Sequence, residues 1–194
     1  MLGIILCGGQ STRMGTDKGL IKLHAKTWAQ TAADKITALH LNVFLSVNAI
    51  QHDGYLSVFH EAQLIKDNSD LSVSGPLAGV LSVHLQHPDD DLFILACDMP
   101  LMEGIVLNEL LTIYGEHPTA DAYVFTNDGE PEPLCAIYTA KGLAYIAHLL
   151  AANQLTRHSM KFMLEHIHTF LIPLAEEQKK YFRNFNAHAE LNGL

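Results

Sequence analysis

Leu2-Gly3-Ile4-Ile5-Leu6-Cys7-Gly8-Gly9-Gln10-Ser11-Thr12-Arg13-Met14-Gly15-Thr16-Asp17-Lys18 decides how the rest of the chain is read. The apolar run Leu2–Cys7, stopped by two glycines, predicts a short strand buried on both faces, as parallel strands are. Gly8-Gly9 lets the chain turn sharply and brings backbone N–H groups close to an anion, with no Cβ in the way. Ser11 and Thr12 add hydroxyl donors, Arg13 a fork of donors suited to phosphate, and Lys18 a compact positive charge. Two familiar phosphate loops are excluded by spacing. Lys18 stands between Asp17 and Gly19, so GxxxxGK[ST] fails, and Gly8, Gly9 and Gly15 do not make GxGxxG. The competing reading is an ordinary strand-to-helix turn with solvated charges.

Working outward, Thr27–Leu39 carries Trp28, Ala32, Ala33, Ile36 and Leu39 at helical spacing, and Val43–Val47 is a second apolar strand. Gln63–Lys66 is a weaker third, followed by the polar loop Asp67–Ser74. Pro76 opens a helix running to about His87, since proline is tolerated at the first helical position. Leu92–Ala96 is another wholly apolar strand, closed by Asp98-Met99-Pro100. A helix over Gly104–Tyr114 and strands over Ala122–Phe125 and Leu134–Tyr138 follow, with Pro131 and Pro133 making Asn127–Pro133 a turn. The last third reads as mostly helical, broken near Ile167–Pro173. Strands alternating with helices of this length imply βαβ units, hence a mainly parallel sheet with helices on both faces. Ligands of such sheets bind outside the carboxyl ends of the strands. Gly8–Lys18 and Cys97–Pro100 each follow a buried strand and should open on that one edge.

A chain of 194 residues, 48% hydrophobic and 17% charged, suits one globular domain spanning 1–194. The net charge of −9 argues against a nucleic-acid partner, which usually needs a basic face. Within that acidic whole, residues 1–26 hold Arg13, Lys18, Lys22 and Lys26 against the single acid Asp17. A locally positive segment suits a small polyanion, although chance clustering gives the same count. No apolar run is long enough to cross a bilayer, and Met1–Cys7 lacks the basic flank of a signal peptide. Cys7, Cys97 and Cys135 form no CxxC pair, which argues against zinc and reads as buried, reduced thiols in a cytoplasmic protein. The twelve histidines show no metal-ligand spacing.

The pattern LxGGxSxRMGxDK, present as Leu6–Lys18, closely resembles the signature of molybdenum cofactor guanylyltransferases. Three further segments resemble the same family in the same order: Gly75-Pro76-Leu77-Ala78-Gly79, Cys97-Asp98-Met99-Pro100 and Asn184-Phe185-Asn186. The resemblance covers nearly the whole chain. It implies a Rossmann-like three-layer α/β/α sandwich of the nucleotide-diphosphosugar transferase type. It further implies an enzyme that transfers GMP from GTP to molybdopterin with Mg²⁺ and releases pyrophosphate, with transient contact to cofactor-accepting enzymes.

Carried over residue by residue, the resemblance makes Arg13, Lys18 and Asp98 catalytic, with Asp98 the magnesium ligand. It puts Leu6, Cys7, Gly8, Gly9, Lys18, Asn48, Asp67 and Asp98 around the nucleotide, and Gly75, Gly79, Asn184 and Asn186 on the pterin side. Guanine offers N1–H and N2–H₂ donors side by side, which one carboxylate such as Asp67 can accept together; an unpaired carboxylate disfavours other bases. Asp98 also reads as a turn residue before Pro100, Asp67 as a loop acid, and Gly75–Gly79 as a plain helix start. Arg157 and Lys161 lie on a predicted helix, as phosphate contacts or as solvated charges. The family's Thr-Pro after the second asparagine is replaced here by Ala187-His188, which weakens the pterin-side assignment. Two other readings stay open: a transferase using CTP or a sugar phosphate, and a non-catalytic nucleotide-binding delivery module.

Overall fold

The structure, a computed structural model, describes residues 1–8, 17–23 and 25–185. Along the chain these form β1 (Leu2–Leu6), β2 (Lys22–Leu23), β3 (Lys26–Thr27), α1 (Trp28–Thr37), β4 (Asn42–Val47), α2 (His52–Tyr55), β5 (Leu64–Lys66) and α3 (Pro76–Gln86). They continue with β6 (Leu92–Ala96), α4 (Gly104–Glu116), β7 (Ala122–Asn127), β8 (Glu130–Tyr138), α5 (Ala140–Ala151), α6 (Met160–Leu164) and β9 (Thr169–Pro173). Short 3-10 helices cover Lys18–Leu20, Glu61–Gln63 and Glu176–Phe182.

Seven strands make one sheet in the order β5-β4-β1-β6-β8-β7-β9. β5, β4, β1 and β6 are mutually parallel, as is the β7–β9 pair; β8 runs antiparallel to both its neighbours. All five residues of β1 and of β6 are buried, which is why both read as unbroken apolar runs. The alternation of side chains then splits the core in two. Ile5, Phe93 and Leu95 pack beneath α1 and α4, while Ile4, Leu6, Leu92 and Ile94 pack beneath α3, α5 and α6. Burial of each such side chain contributes about 1.5–3 kcal/mol. On the first of these faces Gly3 takes no side chain because Ile36 of α1 fills its place: a Cβ there would lie 2.1 Å from Ile36 Cγ2. A capping box starts α1, with Thr27 Oγ1 accepting from Gln30 N (3.2 Å) and Gln30 Oε1 accepting from Thr27 N (2.9 Å).

Two expectations are corrected. The turn expected over Asn127–Pro133 is confined to Asp128 and Gly129, both at positive φ (52° and 84°), and β8 starts at Glu130. Two successive positive-φ residues are what a two-residue hairpin needs, and Asp-Gly supplies them. Pro131 and Pro133 are tolerated because β6 pairs with β8 only from Cys135 onward, so neither proline interrupts that ladder. Among the described residues of the last third, the break expected near Ile167–Pro173 contains β9, which extends the sheet beside β7, and a 3-10 helix rather than an α-helix follows.

Topology fixes where a ligand can sit. From β1 the chain moves to β4 and β5 on one side, then crosses to β6 on the other. The carboxyl ends of β1 and β6 therefore flank a switch point, the usual place for a binding crevice. Because β8 is antiparallel, the β7–β8 hairpin projects beyond β6 on this same edge.

Candidate active site

Gly8 follows β1 and Asp98 follows β6, and the two strand ends are laced together. Cys97 N donates to Leu6 O (3.1 Å) and Cys7 N donates to Ser46 O (3.0 Å). Lys18 is brought across this crevice to Asp98, with Nζ 3.3 Å from Oδ2 and both side chains about one-fifth exposed. Lys18 opens a 3-10 turn whose cap is Asp17. Asp17 Oδ1 accepts from Gly19 N (2.9 Å) and from the hydroxyl of Tyr55 in α2 (2.8 Å). Gly19 permits this approach, since a Cβ there would lie 2.0 Å from Tyr55 Oη. Burial pushes the Tyr55 hydroxyl far up, with the neighbouring thiols and Asp17 adding to it, so it stays a donor. The second Asp17 oxygen is buried without a hydrogen-bond partner among the described residues.

The Asp98 turn is braced from two sides. Phe185 N donates to Asp98 O (3.1 Å), and the Phe185 ring packs with Trp28 and Ile21. Lys35 of α1 reaches Pro100 O (2.8 Å), with its ammonium pushed down by burial against the opposing charge of Glu103. Cys7 and Cys97 are buried behind the crevice, and a hydrogen bond to Cys7 together with burial raises the Cys97 thiol well up, which leaves it a poor nucleophile.

Asp67 lies on the β4–β5 side of the same edge. Its backbone N donates to Val47 O (2.9 Å) and its Oδ1 accepts from the buried Ser46 hydroxyl (3.1 Å). The following N–H, of Asn68, is taken by Ser82 Oγ of α3 (2.7 Å). Burial raises the Asp67 carboxyl above its ordinary value and the Ser46 hydroxyl opposes that rise. Glycines adjoin the carboxylate: a Cβ on Gly8 would lie 3.3 Å from Oδ2, and one on Gly79 would lie 3.4 Å from Oδ1. Asn48 uses its Oδ1 locally, accepting from Ile50 N and Gln51 N (3.0 Å each), so its amide nitrogen is the end that can serve a ligand. Gln51 ties the two strand ends, donating from Nε2 to Cys7 O (3.0 Å).

Gly75 caps α3 at φ 72° with open space where a Cβ would stand, whereas Gly79 lies against Ser46, Asp67 and Leu6. Asn184 is exposed and immediately precedes the anchored Phe185. Arg157 stacks over Phe162 (5.4 Å to the ring centre) and Lys161 pairs with Glu130 of the projecting hairpin (2.7 Å). Gly9, Arg13, Asn186 and the Ala187-His188 departure lie outside the described residues.

Lys18, Asp98, Gly8 and Asp67 are thus gathered on one edge from four segments. Ser46, Gln51, Tyr55 and Lys35 were not singled out by sequence. Each acts by reaching a residue distant in the chain, and none sits in a recognisable spacing. Among the described residues, no group of three or more His, Cys, Asp or Glu side chains gathers as a metal centre. A lone carboxylate at Asp98 still fits a Mg²⁺ ion, which commonly takes one or two carboxylates and completes its octahedron with substrate phosphates and water. Among the described residues, no helix is long and apolar enough to cross a membrane.

A family model described as the MobA-like NTP transferase domain matches residues 3–169. A probable molybdenum cofactor guanylyltransferase from Geobacillus sp. (strain WCH70) is 27% identical, covering 100% of this chain and 97% of that protein. Another from Flavobacterium johnsoniae is 29% identical over 98% and 94%. Among solved structures, molybdopterin-guanine dinucleotide biosynthesis protein A from Archaeoglobus fulgidus has a TM-score of 0.75 at 22% identity, covering 100% of this chain and 96% of that one. A putative glucose-1-phosphate thymidylyltransferase from Bacillus anthracis has a TM-score of 0.69 at 13% identity, over 100% and 93%. These structural likenesses establish a shared nucleotidyltransferase fold.

Proposed function

We infer from its membership of the MobA-like NTP transferase family, to which the chain belongs over residues 3–169, that this nucleotidyltransferase joins GMP from GTP to molybdopterin. The names of the relatives that match it nearly end to end support that substrate pair. The observation that carries the reading is the Lys18–Asp98 pair, 80 residues apart in sequence and 3.3 Å apart in the crevice between β1 and β6.

In the proposed reaction, an oxygen of the terminal phosphate of molybdopterin attacks the α-phosphorus of GTP. One oxygen–phosphorus bond forms as the bond from the α-phosphorus to the bridging oxygen breaks, and pyrophosphate leaves. Lys18 holds the triphosphate and offsets the negative charge that builds on the leaving group. Asp98 would hold Mg²⁺, which supplies Lewis-acid stabilisation of the phosphoryl oxygens and a template for in-line approach. Neither residue acts as a nucleophile; fixed position and charge supply the acceleration. Arg13 is assigned the same phosphate-holding role from its place in the motif. Asp67 accepts N1–H and N2–H₂ of guanine, Leu6, Cys7, Gly8, Gly9 and Asn48 complete the nucleotide side, and Gly75, Asn184 and Asn186 take the acceptor. The buried, unpaired thiols of Cys7, Cys97 and Cys135 suit a reducing, cytoplasmic setting.

Calorimetric titration with GTP, CTP, ATP and UTP, each with magnesium, tests the reading directly. GTP should bind well above the rest, and Asp67→Ala should abolish that preference. A preference for CTP, or equal binding of all four, refutes guanine selection by Asp67.

A further inference from the structure

We propose that Ser46 and Gly79 determine base specificity together, by fixing the Asp67 carboxylate in the orientation that guanine requires. The proposal rests on the reading of Asp67 as the guanine acceptor.

An aspartate carboxylate turns easily about its last torsion, whose wells are broad and two-fold. To accept N1–H and N2–H₂ together, both oxygens must lie in the plane of the base. Ser46 limits that rotation. Ser46 lies on β4 and is 1% exposed, and its hydroxyl donates to Asp67 Oδ1 at 3.1 Å. The strand on which it sits is itself held, because Ser46 O accepts from Cys7 N and Val47 O accepts from Asp67 N. One hydrogen bond on Oδ1 leaves that oxygen a second lone pair, and Oδ2 remains beside Gly8.

Gly79 is required by the same contact. A Cβ at this position would lie 2.3 Å from Ser46 Oγ, far inside contact distance, and 3.4 Å from Asp67 Oδ1. Ser46 is a buried strand residue with little room to yield, so an added methyl displaces the hydroxyl from Asp67. The motif glycine thus serves the base side of the crevice by leaving space for a hydroxyl that holds the carboxylate. Adenine and cytosine carry an acceptor ring nitrogen where guanine carries N1–H. A freely turning carboxylate tolerates them better than a fixed one does.

The test compares the unmodified protein with Ser46→Ala, Gly79→Ala and the double variant, by calorimetry with GTP–Mg and ATP–Mg and by steady-state pyrophosphate release. The unmodified protein comes first: equal binding of GTP and ATP there overturns the reading of Asp67, and this proposal with it, before any variant is needed. Given a GTP preference, Ser46→Ala should weaken GTP binding about tenfold, the scale of one hydrogen bond to a charged group, and leave ATP binding equal or tighter. KM for GTP should rise by the same factor with kcat preserved, a split that general loosening of the fold does not produce. Gly79→Ala should reproduce the loss. In the double variant the methyl occupies space the hydroxyl has vacated, so its loss should equal that of one single variant. Should Ser46→Ala fold poorly, Gly79→Ala carries the test alone. An unchanged GTP-to-ATP ratio in the folded single variants, or additive losses in the double, overturns the proposal.

Discussion

Tyr55→Phe is the substitution that best tests how the crevice is held. Tyr55 is wholly buried, and its ring stacks beside Phe59, so phenylalanine keeps the packing and removes one hydroxyl. That hydroxyl donates to Asp17 Oδ1, whose other oxygen already lacks a partner among the described residues. Loss of a hydrogen bond to a carboxylate is worth about 1.5–3 kcal/mol, and here it leaves the acid with Gly19 N as its remaining donor among the described residues. Taking about 2 kcal/mol, a domain of this length should melt about 4–8 °C lower. Function should suffer as well, because Asp17 caps the turn that presents Lys18 to Asp98. A displacement of the order of 1 Å at a charge-stabilising group can lower turnover by up to about 100-fold. Differential scanning calorimetry gives the first number and pyrophosphate release from GTP gives the second. A variant that melts normally and turns over normally refutes the idea that Tyr55 and Asp17 set the position of Lys18. Normal turnover in a less stable variant refutes the functional half alone.

Three other outcomes are expected. Asp98→Ala should lower turnover by about 100- to 1,000-fold, the scale for removing a charge-stabilising group, while GTP stays bound in titration; undiminished delivery of cofactor by this variant would point to a carrier instead. Asp67 carries a carboxyl raised above 3.8, so the folded protein holds that proton more tightly than the unfolded chain does. Its contribution to stability therefore grows as pH falls from the raised value towards 3.8, while GTP affinity falls over the same interval because the carboxylate becomes protonated; binding measured against pH should show the loss, and Asp67→Asn should remove that pH dependence. Gly3→Ala should destabilise by about 1–3 kcal/mol through overpacking against Ile36, read by denaturant titration, with the GTP-to-ATP preference retained.

The strands β1, β4, β6 and the start of α3 were legible because each has a strong local cause. β1 and β6 are short apolar runs ending in turn residues, and α3 starts with proline at its first position. The β7–β8 hairpin was misread because two prolines outweighed Asp128-Gly129. Whether a strand tolerates proline depends on which neighbour needs its N–H, and here β6 does not reach that far. β9 was obscured because Phe170, Leu171 and Ile172 are apolar in succession while the edge strand is only half buried, so no alternation marks it as a strand.

The candidate site divides along the same line. Covalent neighbours were readable: Gly8 beside a strand end, Lys18 within its motif, Asp98 before Pro100. The resemblance of those motifs gave the family and the reaction class. Tertiary structure alone brought Lys18 to Asp98, put Ser46 under Asp67, set Tyr55 behind Asp17 and turned Gly79 towards Ser46. The physical reason is that strand and helix periodicities, turn residues and phosphate-loop glycines act over a few residues, so they leave a trace in the linear order. A hydrogen bond between side chains 21, 38 or 80 residues apart leaves none. It exists only once parallel pairing of β4, β1 and β6 has aligned their carboxyl ends along one edge.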